Sequence, residues 1–139
     1  MIRSFFYRIY LFFWNLEFIV LSEFDNPRIM GSACYPMIYI NPRIVRYRKR
    51  FNTTVNHERI HHAQQIELLI IPFFIWYFLE YIYYLILTFD SYEAYRKIRF
   101  ERECFNHEDD MRYLAKRRPY AYLYPDQFKR KPKRKKSSG

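Results

Sequence analysis

The chain has 139 residues, a formal net charge of +10, 50% hydrophobic and 22% aromatic residues, and only 2 glycines. Such a length suits one domain with a real core, and so little glycine excludes flexible glycine hinges, leaving turns to Asp25-Asn26-Pro27, Asn41-Pro42 and Asp90-Ser91. Seven of the positive charges lie in residues 129–136, Lys-Arg-Lys-Pro-Lys-Arg-Lys-Lys, so the remainder is only mildly basic and the charge does not by itself define a nucleic-acid-binding domain.

Residues 1–21 are apolar and aromatic. Arg8, Asn15 and Glu17 interrupt the run and no small-residue cleavage site follows, so it does not read as a secretory signal. Ile2, Phe5, Phe6, Ile9, Phe13 and Leu16 recur with helical spacing and predict an amphipathic helix, packed on the core or lying on a membrane surface. Residues 22–32 read as a loop, Cys34 to Ile40 as a short strand ended by Asn41-Pro42, and Ile44 to Tyr47 as a second one. Arg46-Tyr47-Arg48-Lys49-Arg50 reads as a solvated basic loop. Thr53 and Thr54 offer an N-cap for a helix running on to Ile71.

That helix carries His57-Glu58-Arg59-Ile60-His61, the pattern His-Glu-x-x-His. Residues four apart share a helix face, so His57 and His61 can point two imidazoles at one ion with Glu58 beside them. Two neutral histidine nitrogens suit zinc, a third protein ligand completes such a site, and the fourth position holds water whose proton the adjacent glutamate can take. His62 points about 100° away from His61 and is not a candidate ligand. Gln64 and Gln65 return near the ligand face as hydrogen-bond partners for the histidines. Set against this is an exposed helix turn with incidental His and Glu.

On these residues the chain resembles the zincin metallopeptidases. A looser similarity to small bacterial zincin-like proteins runs through His57 to Gln65, Pro72 to Tyr81 and Phe100-Glu101-Arg102-Glu103, covering roughly residues 35 to 110. The resemblance implies that the strand at about residues 35–40 is an edge strand that binds extended substrate by strand addition; an ordinary core strand is the plainer reading.

Leu68 to Phe89 is a run of 22 residues broken only by Pro72 and Glu80 among hydrophobic and tyrosine side chains. Its length would cross a bilayer. The favoured expectation is instead a kink at Pro72 and a second helix from about Phe73 to Leu87, buried in the fold. Glu80 would then need a partner, either Arg96 or Arg99, or else a role supporting a zinc-binding histidine.

Asp90-Ser91 caps a predicted helix over about Tyr92 to Leu114. Ala94, Ile98, Glu101 and Phe105 form an inward stripe, whereas Glu103 falls on a mainly solvated face. An inward glutamate wants a cation, which a zinc ion or a core arginine would supply. Glu101-Arg102-Glu103-Cys104 resembles the Glu-x-x-Ala segment that supplies the third ligand in gluzincins, which implies Glu101 as that ligand, with Glu103 as runner-up. Cys104 stands where a small residue is usual, and Phe105 where an aspartate often orients a motif histidine, so that role falls to Glu108 or Glu80. Residues 62 to 71 lack the third histidine of metzincins. His107 is either an oxyanion donor or a surface histidine.

Cys34 and Cys104 have no pairing signature and read as free thiols of a reducing compartment. From Lys129 the like-charge run reads as a disordered tail that meets anionic membrane or nucleic acid nonspecifically. The expectation is an α+β, mainly helical zincin-like domain with a small edge sheet over residues 1–128, and a basic tail over 129–139. It would be a cytoplasmic zinc metallopeptidase acting on peptide or protein substrates, or membrane-associated through residues 68–89 or 1–21. Zinc would be held by His57, His61 and Glu101, with Glu58 as general base. The alternatives are a catalytically inactive zincin-like binding or membrane-surface protein, and a nucleic-acid-associated protein whose motif is incidental.

Overall fold

The computed structural model describes residues 17–126; the amphipathic helix expected over residues 2–16 and the basic tail at 129–139 lie outside the described residues. The protein is α+β and mainly helical. Three short strands, β1 (Phe18–Leu21), β2 (Gly31–Cys34) and β3 (Met37–Ile40), are followed by a 3-10 turn at Pro42–Ile44. Five helices come next: α1 (Arg48–Leu68), α2 (Ile70–Thr88), α3 (Ser91–Lys97), α4 (Arg99–His107) and α5 (Tyr113–Lys116), before a closing 3-10 turn at Ala121–Leu123.

The sheet order is β1-β3-β2, with β3 parallel to β1 and antiparallel to β2. β3 is therefore the central strand. The expected edge-strand role for residues 35–40 fails because both sides of β3 are already hydrogen-bonded. Ile38 and Ile40, alternate residues on one face, are fully buried against Ile44 and Val55, as the plainer reading has it. The second strand expected at 44–47 is a 3-10 turn running into α1. Asn41, whose side chain accepts from Arg43 N, closes that turn.

Helix α1 begins at Arg48, so Thr53 and Thr54 lie inside it and the basic cluster forms its first turn. Three cations in a first turn oppose the helix dipole, and Tyr47 makes no side-chain cap; the usual start signals are missing. At the other end Pro72 decides the geometry. Were α1 to continue, its ring would collide with the carbonyl of Leu68. The helix instead ends there, Leu69 turns to φ 62° and ψ 139°, and Pro72 falls in the first turn of α2, where no N–H is missed.

Helix α2 is not buried as expected. Only Phe73 along it is fully enclosed, and one side of the helix faces outward with an apolar surface. Its inner side joins Ile98, Phe100 and Tyr122 in the second core, with Trp76, Tyr77 and Tyr81 packed around them.

The single helix expected over 92–114 is two helices and a short third. Asp90 caps α3 by accepting from Glu93 N at 2.7 Å. Ile98 then takes an extended ψ of 131° and α4 starts afresh. Glu80 is the reason the break is tolerated: its Oε2 accepts from Arg99 N at 2.9 Å, and its Oε1 meets the Arg99 guanidinium. The carboxylate thus sits at a helix N-terminus, where negative charge is favoured. Arg99, not a histidine, is the partner this residue needed.

Glu80→Leu should lower stability by about 2 kcal/mol, because it removes a charge-assisted cap and leaves Arg99 N unpaired. Chemical denaturation of the two proteins would read this directly, and an unchanged midpoint would show that water replaces the carboxylate.

Candidate metal centre

Residues Val55 to Gln65 are buried except Arg59. The motif is therefore in the protein interior, with β2 and β3 on one side and α2 and α4 on others, and not an exposed helix turn. His57 and His61 leave α1 on the side facing α4, and Glu101 comes to meet them. His57 Nε2 lies 3.0 Å from Glu101 Oε2, and His61 Nε2 lies 3.0 Å from Glu101 Oε1. Tyr77 of α2 donates to Glu101 Oε1 at 2.7 Å, and Tyr95 of α3 also hydrogen-bonds this carboxylate. Three helices thus converge on one side chain carried by a fourth.

The other ring nitrogens are held as well. His57 Nδ1 donates to Glu108 Oε2 at 2.7 Å. His61 Nδ1 donates to Gln64 Oε1 at 2.8 Å, and the Gln64 amide must be oriented this way because its Nε2 donates to Glu103 Oε2 at 2.8 Å and Phe100 O at 3.1 Å. With Nδ1 committed as donor on both rings, each neutral imidazole turns a lone pair toward Glu101. Two nitrogen lone pairs and a carboxylate cannot share a buried space unless a cation or protons come between them.

The electrostatics favour protons in that space. Burial works against charge on His57, but its bonds to Glu101 and Glu108 outweigh this and raise its pKa to about 10. Burial likewise opposes charge on His61, and Glu101 again raises its pKa. Burial alone would push Glu101 up, yet the two imidazoles hold it well below the usual carboxylate range. Burial raises the pKa of Glu58 against the lowering effect of both histidines. Glu58 lies under the start of β2: a Cβ placed on Gly31 would stand 2.8 Å from Glu58 Oε1, so only glycine lets the strand pass this close.

Cys104 is the remaining member of the cluster. His57, His61 and Cys104 are all buried, with ligand atoms within 4.8 Å of one another, and this group can hold a metal ion. Its Sγ is 3.6 Å from His61 Nδ1 and 3.7 Å from His61 Nε2. An atom equidistant from both ring nitrogens lies off the Nε2 lone-pair axis, whereas the Glu101 oxygens face the two Nε2 atoms. Burial, with Glu101 and Glu103 nearby, holds the Cys104 thiol well above its usual range. Cys34 is exposed, and both thiols are free.

Several expected partners are placed otherwise. Glu103 is not solvated: it is buried against Arg117 Nε at 2.5 Å, Tyr113 OH at 2.9 Å and Gln64, because residues 113–117 fold back over α4. Gln65 serves the sheet, accepting from Tyr35 N at 2.7 Å and donating to Ala33 O at 2.9 Å. His62 lies off the cluster, its Nε2 donating to Met37 O at 3.0 Å. His107 is not a surface histidine; it is buried and stacked on Tyr113 with ring centroids 3.9 Å apart. Phe105, in the place of an orienting acid, packs edge-on against His57, and Glu108, one turn on, takes the acid's role.

Three contributors escaped the sequence reading. They are Tyr77, Tyr95 and Asn56, none of which the sequence assigns a role. Asn56 Nδ2 donates to Glu108 O at 2.8 Å and Asp110 O at 3.2 Å, tying the loop after α4 to α1 and so placing Glu108. A polar residue directly before the motif on a buried helix was the only available signal.

If Glu108 orients His57 for a metal, Glu108→Ala should weaken metal affinity by about 10–100-fold, read by chelator competition. Cys104→Ala should leave affinity near that of the parent. The reverse pattern would make the thiol the third ligand.

No protein-family model matches the chain, and no curated protein or solved structure is significantly similar to it, so the site stands on its own geometry.

Proposed function

We propose that the protein is a gluzincin-like zinc metallopeptidase in which His57, His61 and Glu101 hold the metal and Glu58 is the general base. The observation that carries this reading is the convergence of two histidine Nε2 atoms on one carboxylate, each nitrogen 3.0 Å from one of its two oxygens, with both Nδ1 atoms held as donors. Donors arranged tetrahedrally about 2.0–2.1 Å from zinc stand roughly 3.3 Å from one another, so a small shift of side chains turns the observed cluster into a coordination set. Nitrogen and oxygen ligands with this count suit zinc with a position to spare.

When bound, zinc supplies Lewis-acid activation of water near neutral pH. The chain's residues supply the rest. Glu58, adjacent in sequence to His57, takes the proton of the attacking water on its carboxylate and later passes it to the leaving amine nitrogen. Burial, by raising the Glu58 pKa, brings the carboxyl nearer the pH at which it must both accept and release a proton. Glu108 and Gln64 fix the ring orientations, while Tyr77 and Tyr95 hold the Glu101 carboxylate in place.

A second reading has its own support. Glu58 is only 5% exposed and β2 passes directly over its carboxylate, an arrangement that suits a metal centre without substrate access. On that reading the protein is a zincin-like binding module whose buried metal stabilises the fold.

Metal analysis by mass spectrometry on purified protein should find one zinc per chain, lost in His57→Ala and in Glu101→Ala. Glu58→Gln should keep the zinc and abolish cleavage across a peptide library. Stoichiometric zinc with no turnover of the parent protein would select the binding module, and absence of zinc after reconstitution would reject both.

A further inference from the structure

The outer side of α2 has no role in the site, and its chemistry is ordered around the helix. Ile71, Ile75, Phe78, Leu79, Ile82 and Ile86 recur at spacings of four, three, one, three and four, which puts them on one face. All are exposed, from 36% for Ile82 to 72% for Ile71. The diametrically opposite position belongs to Glu80, paired with Arg99. Between these poles, Tyr81 borders the apolar stripe on one side, and Tyr83 and Trp76 border it on the other. Of these aromatics Tyr83 is the exposed one, while Tyr81 and Trp76 are half-buried against the second core; a tyrosine beside an apolar stripe suits the headgroup level of a bilayer.

We infer that α2 lies in the plane of a lipid bilayer, with its outer face among the acyl chains. Among the described residues it is the one helix long and apolar enough to cross a membrane, but α3 argues against crossing. Helix α3 starts just past the end of α2, and Arg99, beyond its far end, reaches Glu80. It therefore runs back along α2, carrying Glu93, Arg96 and Lys97 on its exposed surface. A spanning α2 would draw those charges into hydrocarbon. An in-plane α2 leaves them in water, and its 19 residues extend an apolar strip of about 28 Å along the surface.

Two further features fit. Leu69 and Phe89 flank the helix at φ 62° and 53°, backbone in which bulky residues are rare, and both remain exposed, Phe89 at 90%. The seven positive charges of residues 129–136 can attract anionic headgroups. The net charge of +10 favours an anionic lipid surface over a second, equally basic copy of the chain. This inference rests on the apolar face and does not require the metal or the hydrolytic reading.

The test is flotation of the purified full chain with phosphatidylcholine vesicles and with mixed phosphatidylcholine–phosphatidylglycerol vesicles, at low and high salt, beside Ile75→Gln/Leu79→Gln. Both substituted side chains face outward, so circular dichroism should be unchanged. The parent chain should float, retain binding at high salt, and show about a tenfold or larger drop in bound fraction in the variant. A parent chain that stays in solution overturns the inference. So does a variant that binds as well as the parent, which would assign binding to the chain's ends, or binding abolished by salt alone. A parent dimer that ignores vesicles and that the variant converts to monomer would assign the face to a second copy.

Discussion

Glu101 is a fully buried carboxylate, and much of the described fold is arranged around that fact. An ionised carboxyl taken from water costs several kcal/mol unless it is matched, and here two imidazoles and two tyrosine hydroxyls do the matching. The histidines come from α1, the tyrosines from α2 and α3, and Glu101 itself from α4. Four helices must therefore be in register before the charge is satisfied. The cluster ties local geometry to global topology more tightly than apolar packing would, because a hydrogen bond fails within a fraction of the distance that a methyl contact tolerates.

A second layer of polar contacts keeps that register. Asn56 binds the loop that carries Glu108, and Gln64 passes from His61 to Glu103, which Arg117 and Tyr113 neutralise in turn. Glu67 joins the same arginine. No buried side-chain nitrogen or oxygen among the described residues lacks a partner. Such a closed network is what a low-dielectric interior demands, since one unmatched member would cost more than its bond contributes.

Helix α2 joins two different surroundings. Its inner face delivers Tyr77 to Glu101 and sets Phe73 edge-on to His61; its outer face is apolar and exposed. A helix is about 10–12 Å across, so whatever lies on the outer face is about one helix diameter from the His57–His61–Glu101 cluster. Break and cap then acquire a clear purpose in the fold: Pro72 ends α1 early enough to turn α2 outward, and Glu80 anchors its back to α4.

What the sequence by itself determined is periodic and local. The spacing of His57 and His61 puts them on one helix face, the stripe through Ala94, Ile98 and Glu101 turns that glutamate inward even across the break at Ile98, and Arg99 was named as a candidate partner of Glu80. These follow from covalent geometry and hold in any fold that forms the helices. Tertiary structure alone decided the rest. Glu103 looked solvated until Arg117 returned to cover it, residues 35–40 looked like an edge until β1 and β2 paired on both sides, and α2 looked like core until it was left with one face uncovered. Each depends on segments far apart in the chain meeting in space, and burial or pairing is a property of both partners, whereas a sequence pattern records only one.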